Sequence, residues 1–383
     1  MNGNHLAEKA RLLSKVRRVV VKIGSGPLSG PDGVDRERIR ALAEEIAELG
    51  SRGVQVVLVT SGAVATGARK LGLGGRPRTI PERQAAAAVG QIDLMALYEE
   101  CFERLGKHVG QVLLTHDDLA NRKRYINARH TLDTLLAAGV VPIANENDTV
   151  AIEELNFGDN DNLSALVATL VEADLLVLLS DVPAVYTTDP RTDPSAKPVP
   201  LLRFDGQDPP VRATRGGPLG TGGMEAKLGA ARKAAAAGIP TVIADGRDPR
   251  ILARVFDPGV ETGTLVLPSG DRLARRKHWI AYTLRPAGSL RVDEGAYRAL
   301  LRGGRSLLPG GIVQVEGRFQ AGDCVRCLAP DGRVFAQGLV NYDAAEIEKI
   351  KGRRTADIEA ILGYKIRDEV IHRDDLVLLL GER

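Results

Sequence analysis

Aromatic residues and cysteines are scarce in this chain, and each shortage excludes a class of protein. Aromatic residues make up 4% of the 383 positions, so the core must be built mainly from aliphatic side chains. The three cysteines, Cys101, Cys324 and Cys327, are too few for a disulfide framework and fit a reducing cytosol. Cys324 and Cys327 have the spacing of half a zinc ribbon, but no second half follows them. Disulfide-stabilised secreted folds are therefore excluded, and a structural zinc site is disfavoured.

The chain also lacks long apolar runs and a large charge of either sign. No run approaches the roughly 18 apolar residues that a membrane span needs, and residues 1–18 are too polar for a signal peptide. The formal net charge of +3 is too small to imply a nucleic acid or a membrane surface as a partner. We therefore expect a soluble cytoplasmic protein, long enough for two or three domains.

Strand-like apolar runs alternate with helical patterns over roughly the first 280 residues. The runs are rich in Val, Leu and Ile, as expected for parallel strands covered on both faces, and the helical segments have the length of crossover connections. Strands are predicted at 17–23, 54–59, 109–114, 140–144, 175–179 and 240–244, and helices at 39–49, 81–105, 122–138 and 228–237. The pattern predicts an α/β fold, doubly wound, with a mainly parallel sheet sandwiched by helices.

The pattern changes after Leu267. A basic hinge covers residues 270–278, and from about Arg285 the apolar segments are short and bounded by Gly, Pro and Asp. Such segments, predicted as strands at 311–317, 323–327 and 334–340, are typical of a small β-rich domain. We predict two domains, at 1–280 and 285–369, with a short C-terminal tail to residue 383.

Two polar segments lie at the predicted carboxyl edge of the sheet. Residues 145–149, Asn-Glu-Asn-Asp-Thr, follow a strand, and residues 158–162, Gly-Asp-Asn-Asp-Asn, open a helix. Asx turns and a helix N-cap would explain one or two of these side chains. They do not explain four together: Asp148, Asp159, Asn160 and Asp161. Because ligands bind outside the carboxyl ends of strands in open α/β sheets, a binding site is the favoured interpretation.

Three glycine-containing turns strengthen this interpretation. They are Lys-Ile-Gly-Ser-Gly at 22–26, Thr-Ser-Gly-Ala at 60–63 and Gly-Thr-Gly-Gly-Met-Glu-Ala-Lys at 220–227. None is a Walker A loop or a complete dinucleotide-binding fingerprint, and each alone could be an ordinary loop or cap. Glycine turns at helix N-termini with a nearby lysine bind anions, so the three together predict a nucleoside triphosphate site. Ser180 and Asp181, at the end of another strand, could hold ribose or phosphate oxygens or simply begin a turn.

Taken together, these segments resemble the amino acid kinase family, in the branch that phosphorylates glutamate. The resemblance covers essentially the whole chain and is carried by residues 59–63, 88–91, 145–148, 158–165, 186–191 and 220–227. The C-terminal module resembles the PUA domain, with Val-Asp-Glu-Gly-Ala at 292–296 and His-Arg-Asp-Asp at 372–375. The segments at 145–148 and 158–162 distinguish this branch from the aspartate, carbamate and UMP kinases.

The resemblance implies a role for each matching residue. Lys22 and Lys227 would bind ATP phosphates and neutralise charge on the transferring group, and Asp161 would orient both lysines. L-glutamate would be held by Ser61, Asp148 and Asn160. ATP would be bound by Lys22, Gly24, Ser25, Ser180, Asp181, Thr221, Gly222, Gly223, Met224, Glu225, Ala226 and Lys227. Asp159 and Asp161 lie where magnesium-linked phosphates are expected, whereas Gly26 replaces a more usual hydroxyl residue and receives no side-chain role.

The implied reaction is the ATP-dependent phosphorylation of the γ-carboxylate of L-glutamate, the first step of proline biosynthesis, with Mg²⁺. A carboxylate with a reference pKa of about 4.3 is already ionised at neutral pH, so the reaction needs no general base. The product, L-glutamyl 5-phosphate, is labile in water. The resemblance also implies feedback inhibition by proline and a glutamyl phosphate reductase that consumes the product. We expect the protein to be a homo-oligomer, either a dimer or a tetramer.

Two alternatives remain open. One is another amino acid kinase, acting on aspartate, carbamate or UMP, and the other is an RNA-binding protein of the PUA type. Residues 285–383 contain 16 Lys plus Arg against 15 Asp plus Glu. A surface that follows nucleic acid phosphates would normally be more basic, so RNA binding is the less favoured of the readings.

Overall fold

The computed structural model describes residues 3–30, 33–73, 77–150, 160–204, 223–268, 286–302 and 304–379. The chain divides into two compact units, one formed by residues 1–120 with 127–269 and the other by 121–126 with 270–383. The basic hinge at 270–278 and the domain boundary predicted between 280 and 285 lie outside the described residues. No described helix is long and apolar enough to cross a membrane.

Strands and helices alternate along the first 268 residues. The strands are β1 (Arg18–Ile23), β2 (Ser29–Gly30), β3 (Gly33–Val34), β4 (Gln55–Thr60), β5 (Val109–Leu114), β6 (Val141–Glu146), β7 (Leu175–Ser180), β8 (Leu201–Arg203), β9 (Thr241–Asp245) and β10 (Thr264–Leu267). The helices are α1 (Gly3–Leu13), α2 (Ser25–Leu28), α3 (Arg36–Ser51), α4 (Ala63–Lys70), α5 (Ile80–Glu103), α6 (His116–Ala120), α7 (Arg122–Ala137), α8 (Asn160–Leu170), α9 (Met224–Ala236) and α10 (Ile251–Val255).

Eight of these strands form one sheet, in the order β5–β6–β4–β1–β7–β9–β10–β8. Neighbouring strands run parallel except for β10, which is antiparallel to β9. Val21 and Ile23 of β1 belong to the apolar core formed with α3 and α5, whereas Lys22, on the opposite face, contacts α8. The predicted fold class, a mainly parallel sheet between helices, is thereby confirmed.

Side-chain caps determine where the helices begin. Asp35 accepts a hydrogen bond from the backbone N–H of Arg38 at 3.0 Å, so α3 begins at Arg36, three residues before the predicted start. Thr79 and Glu82 form a capping box at the start of α5. Gly62, whose φ of +114° suits glycine, lets α4 begin almost directly after Ser61. Because only Gly62 separates Ser61 from the first residue of α4, the position of α4 helps to determine the position of Ser61.

Helices α4 and α5 cross at two glycines. An added Cβ at Gly67 would lie 1.7 Å from the carbonyl oxygen of Ala86, and one at Gly90 would lie 1.9 Å from that of Ala63. Both distances are far below van der Waals contact, and the obstructing atoms belong to backbone, which cannot rotate away. Only glycine allows the two helix backbones to approach this closely.

We expect Gly67→Ala to lower the free energy of unfolding by about 3 kcal/mol, at the upper end of the usual cost of overpacking. Gly229→Ala on α9 is the matched control, because a Cβ there meets no described atom within 4 Å. It should be neutral or stabilise the helix by up to about 1 kcal/mol. Urea denaturation of the two variants measures the difference; equal stabilities would show that the close approach of α4 and α5 is not needed.

The second unit contains a five-stranded sheet in the order β12–β11–β13–β14–β15. Its strands are β11 (Gly288–Val292), β12 (Ile312–Gly317), β13 (Cys324–Leu328), β14 (Val334–Leu339) and β15 (Leu376–Leu378), and its helices are α12 (Glu294–Leu301), α13 (Ala344–Ile350) and α14 (Ile358–Leu362). Single turns of 3-10 helix cover Pro309–Gly311, Thr355–Asp357 and Arg373–Asp375. Because β15 pairs with β14, the module continues past residue 369, and the predicted tail contributes an edge strand.

The two closely spaced cysteines of this unit do not share a site. Cys327 is buried in the main core of the unit, whereas Cys324 packs with Leu339 in a separate small cluster. Burial raises the pKa of the Cys324 thiol to about 11 and that of Cys327 to about 12. Both thiols therefore behave as small apolar groups of the core rather than as thiolate ligands.

Candidate functional site

Two lysines and an aspartate from three elements form a buried ion cluster at the carboxyl edge of the large sheet. Lys22 is the penultimate residue of β1, Asp161 lies in the first turn of α8, and Lys227 lies in the first turn of α9. The Lys22 ammonium contacts Oδ1 of Asp161, and the Lys227 ammonium lies 3.0 Å from Oδ2. All three side chains are buried, with 4%, 0% and 5% of Lys22, Asp161 and Lys227 exposed. The structure thus brings together the three predicted catalytic residues.

The charges of this cluster do not cancel. Burial by itself would raise the pKa of Asp161, but Lys22 and Lys227 outweigh it and hold the pKa below its usual value. The carboxylate is therefore ionised, and two lysines against one aspartate leave a formal charge of +1. A buried positive charge beside the N-termini of α8 and α9 is a suitable place for an anion.

The turns after β1 and β7 lie side by side, as expected for neighbouring strands. A Cβ added to Gly24 would lie 3.3 Å from Nζ of Lys22, so glycine keeps that ammonium accessible from the turn. Ser25 begins the short helix α2. Gly26 faces Asp181, with 3.5 Å between an added Cβ and the Cβ of Asp181. Ser180, 2% exposed, donates to Oδ1 of Asp181 at 3.2 Å.

Helix α9 carries the described part of the third glycine turn. Gly223 is the N-cap and makes no side-chain cap, while Met224, Glu225 and Ala226 form the first turn before Lys227. The backbone N–H groups of this turn point out of the helix N-terminus, as in anion-binding turns. The predicted site residues Asp159, Thr221 and Gly222 lie outside the described residues.

A network of amides connects Ser61 with Asn160. The Nδ2 atom of Asn160 lies 3.0 Å from the carbonyl oxygen of Thr60, 2.8 Å from Oγ of Ser61 and 3.1 Å from Oδ1 of Asn145. Asn145 in turn donates from Nδ2 to Oε1 of Gln91 at 2.8 Å. Two predicted glutamate-binding residues are therefore in direct contact. Asn145 and Gln91, which were not among the predicted site residues, complete the network.

The third predicted glutamate-binding residue, Asp148, lines a neighbouring cavity. The cavity has a volume of about 260 Å³ and is bounded by α5, β5 and the turn after β6, with Ala87, Gln91, Gln111, Glu146, Asn147 and Asp148 among its lining residues. Burial raises the pKa of Asp148, while Arg83, whose Nη2 lies 3.1 Å from Oδ1, opposes that rise. Gln91 borders this cavity and also bonds Asn145, so it connects Asp148 with the Ser61–Asn160 pair.

A buried lysine–aspartate–lysine cluster thus lies beside glycine turns at the edge of an α/β sheet, an arrangement suited to binding phosphate. The amino acid kinase family model matches residues 17–245, and the PUA domain model matches residues 288–362. This chain belongs to the amino acid kinase family, as its motifs predicted.

Three curated relatives that match nearly the full chain are glutamate 5-kinases. The glutamate 5-kinase of Geobacter sulfurreducens is 54% identical, covering 97% of this chain and 100% of the relative. That of Geobacter sp. strain M21 is 55% identical with the same coverage. That of Syntrophotalea carbinolica is 50% identical, covering 96% of this chain and 98% of the relative. The predicted resemblance to the glutamate-phosphorylating branch is confirmed.

Proposed function

We propose that this protein transfers the γ-phosphoryl group of ATP to the γ-carboxylate of L-glutamate, giving L-glutamyl 5-phosphate. The observation that carries the proposal is the contact of Lys22 and Lys227 with one buried carboxylate, Asp161, at the sheet edge that also holds the Ser61–Asn160 pair. The glutamate 5-kinases that match nearly the whole chain favour glutamate as the substrate over aspartate, carbamate or UMP. They also favour a kinase over an RNA-binding protein.

Phosphoryl transfer depends on positioning and on charge neutralisation more than on covalent help from the protein. The substrate carboxylate is its own nucleophile and is ionised at neutral pH, so repulsion between it and the triphosphate is the main obstacle. Lys22 and Lys227 reduce that repulsion by binding phosphate oxygens, and Asp161 holds both ammonium groups in place. Because the cluster is buried, water screens these charges little.

ATP would lie along the turns after β1 and β7 and at the N-terminus of α9. Gly24 and Ser25 would face its phosphates from one side, and Gly223 to Lys227 from the other. Ser180 and Asp181 would hold the nucleotide beyond the phosphates. Thr221 and Gly222 complete this proposed set.

Glutamate would extend from the lysines toward the cavity. Lys22 lies on β1, Ser61 directly follows β4, and Asn145 lies on β6; these three strands are consecutive in the sheet, in the order β1, β4, β6. Neighbouring strands are about 4.8 Å apart, so β6, which leads to Asp148, lies roughly two spacings from β1, which carries Lys22. We place the γ-carboxylate near Lys22 and Ser61, with Asn160 beside them, and the ammonium group near Asp148.

Magnesium fits this site as part of the ATP substrate rather than in a cage of protein ligands. Each oxygen of Asp161 is already in contact with a lysine ammonium. Across the described ranges, no group of three or more His, Cys, Asp or Glu side chains could hold a metal ion. Mg²⁺ commonly binds phosphates and water with few protein ligands. We therefore propose that Asp161 acts on the metal only indirectly and that Asp159 is the candidate for a closer contact.

The proposed reaction brings further partners with it. An acyl phosphate product is labile in water, so a glutamyl phosphate reductase would consume it, and the pathway would be proline biosynthesis in the cytoplasm. Proline would act as a feedback inhibitor, and the chain would work as a homo-oligomer, a dimer or a tetramer.

The reaction is tested by trapping the acyl phosphate with hydroxylamine in the presence of ATP and Mg²⁺. We expect hydroxamate with L-glutamate, less of it when proline is added, and little with aspartate. Release of ADP with carbamate or UMP instead of glutamate would assign the protein to another branch. Glutamate-independent ATP hydrolysis alone would refute the proposed transfer.

We expect Asp148→Asn to raise the KM for glutamate about 10- to 100-fold, with kcat changed little. The substitution keeps the shape of the side chain but removes the charge that would pair with the ammonium group, an interaction of about 1.5–3 kcal/mol. Steady-state kinetics with both substrates would measure it, and the KM for ATP serves as the internal control. An unchanged KM for glutamate would contradict the role of Asp148.

A further inference from the structure

Gln91 uses one atom of its amide and leaves the other without a partner. The residue lies on α5 with 9% of its surface exposed, and its Oε1 accepts from Asn145. Its Nε2 is buried and has no hydrogen-bond partner in the described parts of the chain. Leaving a buried donor unpaired costs free energy, so a partner is expected there. The cavity that Gln91 borders together with Asp148 offers room for one.

The backbone fixes which atom of Gln91 is the donor. The N–H of Glu146 donates to Oδ1 of Asn145 at 2.9 Å, and a backbone N–H can only donate. Asn145 must therefore present its Nδ2 to Gln91. The atom of Gln91 that meets Asn145 must then be Oε1, which makes the unpaired atom Nε2. The group missing at this position is therefore a hydrogen-bond acceptor for Nε2.

The position of the cavity indicates which acceptor. It is bounded by Gln111 of β5, the strand beyond β6, so it lies at the end of the site farthest from Lys22. Asp148 lines the same cavity and attracts a cation. Glu146 also lines the cavity, so Glu146 and Asp148 would repel an anion there. An anion can bind only if a hydrogen-bond donor compensates for that repulsion. An α-amino acid carries an ammonium group and a carboxylate on one carbon, which matches Asp148 and Gln91 Nε2 together.

We propose that Gln91 Nε2 binds the α-carboxylate of the amino acid substrate and that Gln91 is a specificity-determining residue. The proposal rests on the proposed kinase function, because it assigns the far end of the same substrate. Asn145 is a positioning residue in this arrangement, since it orients the amide of Gln91 without touching the substrate itself.

Two substitutions at Gln91 test the proposal. Gln91→Met keeps the volume of the side chain and removes the donor, so we expect the KM for glutamate to rise about 10- to 100-fold, with kcat and the KM for ATP within about threefold of the wild type. Gln91→Glu keeps an acceptor for Asn145 but places a negative oxygen where Nε2 stood, so it should raise that KM further. Gln314→Met is the matched control, because Gln314 is an exposed glutamine on β12 that does not line this cavity.

A purely structural role predicts the opposite order of the two variants. If Gln91 only supports Asn145, Gln91→Glu should restore wild-type kinetics and Gln91→Met should not. That result, or an unchanged KM in Gln91→Met, would overturn the proposal.

A substrate analogue identifies which carboxylate is bound. L-isoglutamine has an amide in place of the α-carboxylate and keeps the γ-carboxylate. The ratio of kcat/KM for glutamate to that for L-isoglutamine should fall at least about tenfold in Gln91→Glu, because its carboxylate can accept from the α-amide. An equal loss with both compounds would contradict binding of the α-carboxylate. A wild-type enzyme that does not phosphorylate glutamate would instead refute the proposed function, so the two failures are distinguishable.

Discussion

Replacing Lys227 with alanine should lower turnover about a thousandfold or more while the chain remains folded. Removing one charge that stabilises a transferring phosphoryl group commonly costs two to five powers of ten in rate. Lys22 still contacts Asp161 in this variant, so the buried carboxylate keeps a partner and the fold is not the source of the loss. The hydroxamate assay gives the rate, and circular dichroism and thermal denaturation test the fold. Lys22→Ala should have a similar effect on turnover for the same reason.

Lys233→Ala is the matched control for Lys227→Ala. Lys233 lies on the same helix, is exposed, and contacts Asn162 rather than Asp161. We expect wild-type turnover from it. Near-wild-type turnover from Lys227→Ala, with the control behaving the same way, would contradict the assignment of Lys227 as a catalytic residue.

Asp161→Asn should destabilise the protein as well as inactivate it. The substitution leaves two buried lysines without their common counter-charge, and breaking a buried ion pair from one side costs about 3–5 kcal/mol. Urea denaturation at neutral pH would measure this loss. Asp189→Asn is the control, because Asp189 forms an exposed pair with Arg191 and should change the unfolding transition little.

The loss caused by Asp161→Asn should depend on pH in a defined direction. The pKa of Asp161 is lowered in the folded state, so its ionised form stabilises folding fully above its unfolded pKa, about 3.9. The contribution decreases as the pH falls through the lowered folded-state pKa. The difference in unfolding free energy between the wild type and Asp161→Asn should therefore shrink only in acid, and a difference that stays constant into acid would show that the charge is not what stabilises the cluster.

The regular part of the fold was predictable because it depends on local composition. The apolar run at 175–179 predicts a strand, and β7 covers Leu175–Ser180. The three-residue strand β15 (Leu376–Leu378) was not predicted, since so short a run has no periodicity and pairs only because β14 lies beside it. The antiparallel direction of β10 is likewise decided by its neighbours in space. Short elements of this kind are determined by tertiary contacts rather than by propensity.

The site was predictable to a lesser degree. Strand ends and glycine turns indicate which residues can reach the sheet edge, and the family resemblance named Lys22, Asp161 and Lys227. The contact of both lysines with one carboxylate is a property of the folded chain, because the three residues come from distant segments. Gln91 belongs to the segment 88–91 that carries the family resemblance, but the resemblance assigned no role to it. Its burial and its bond to Asn145, which exist only in the folded chain, indicate a role.

The strand order also bears on how long a substrate the site accepts. If the amino acid is bound at its α-carbon beside β6 and reacts beside β1, the distance between these ends is set by backbone hydrogen bonding, at about 4.8 Å for each strand. Replacing side chains would change affinity and charge preference but would alter this length very little. Aspartate is one methylene shorter than glutamate. It could react only if the side chains that bind the α-carbon end of the substrate were placed on a different strand or turn, closer to β1. Substrate length is then a property of the sheet, and substrate chemistry is a property of the side chains along its edge.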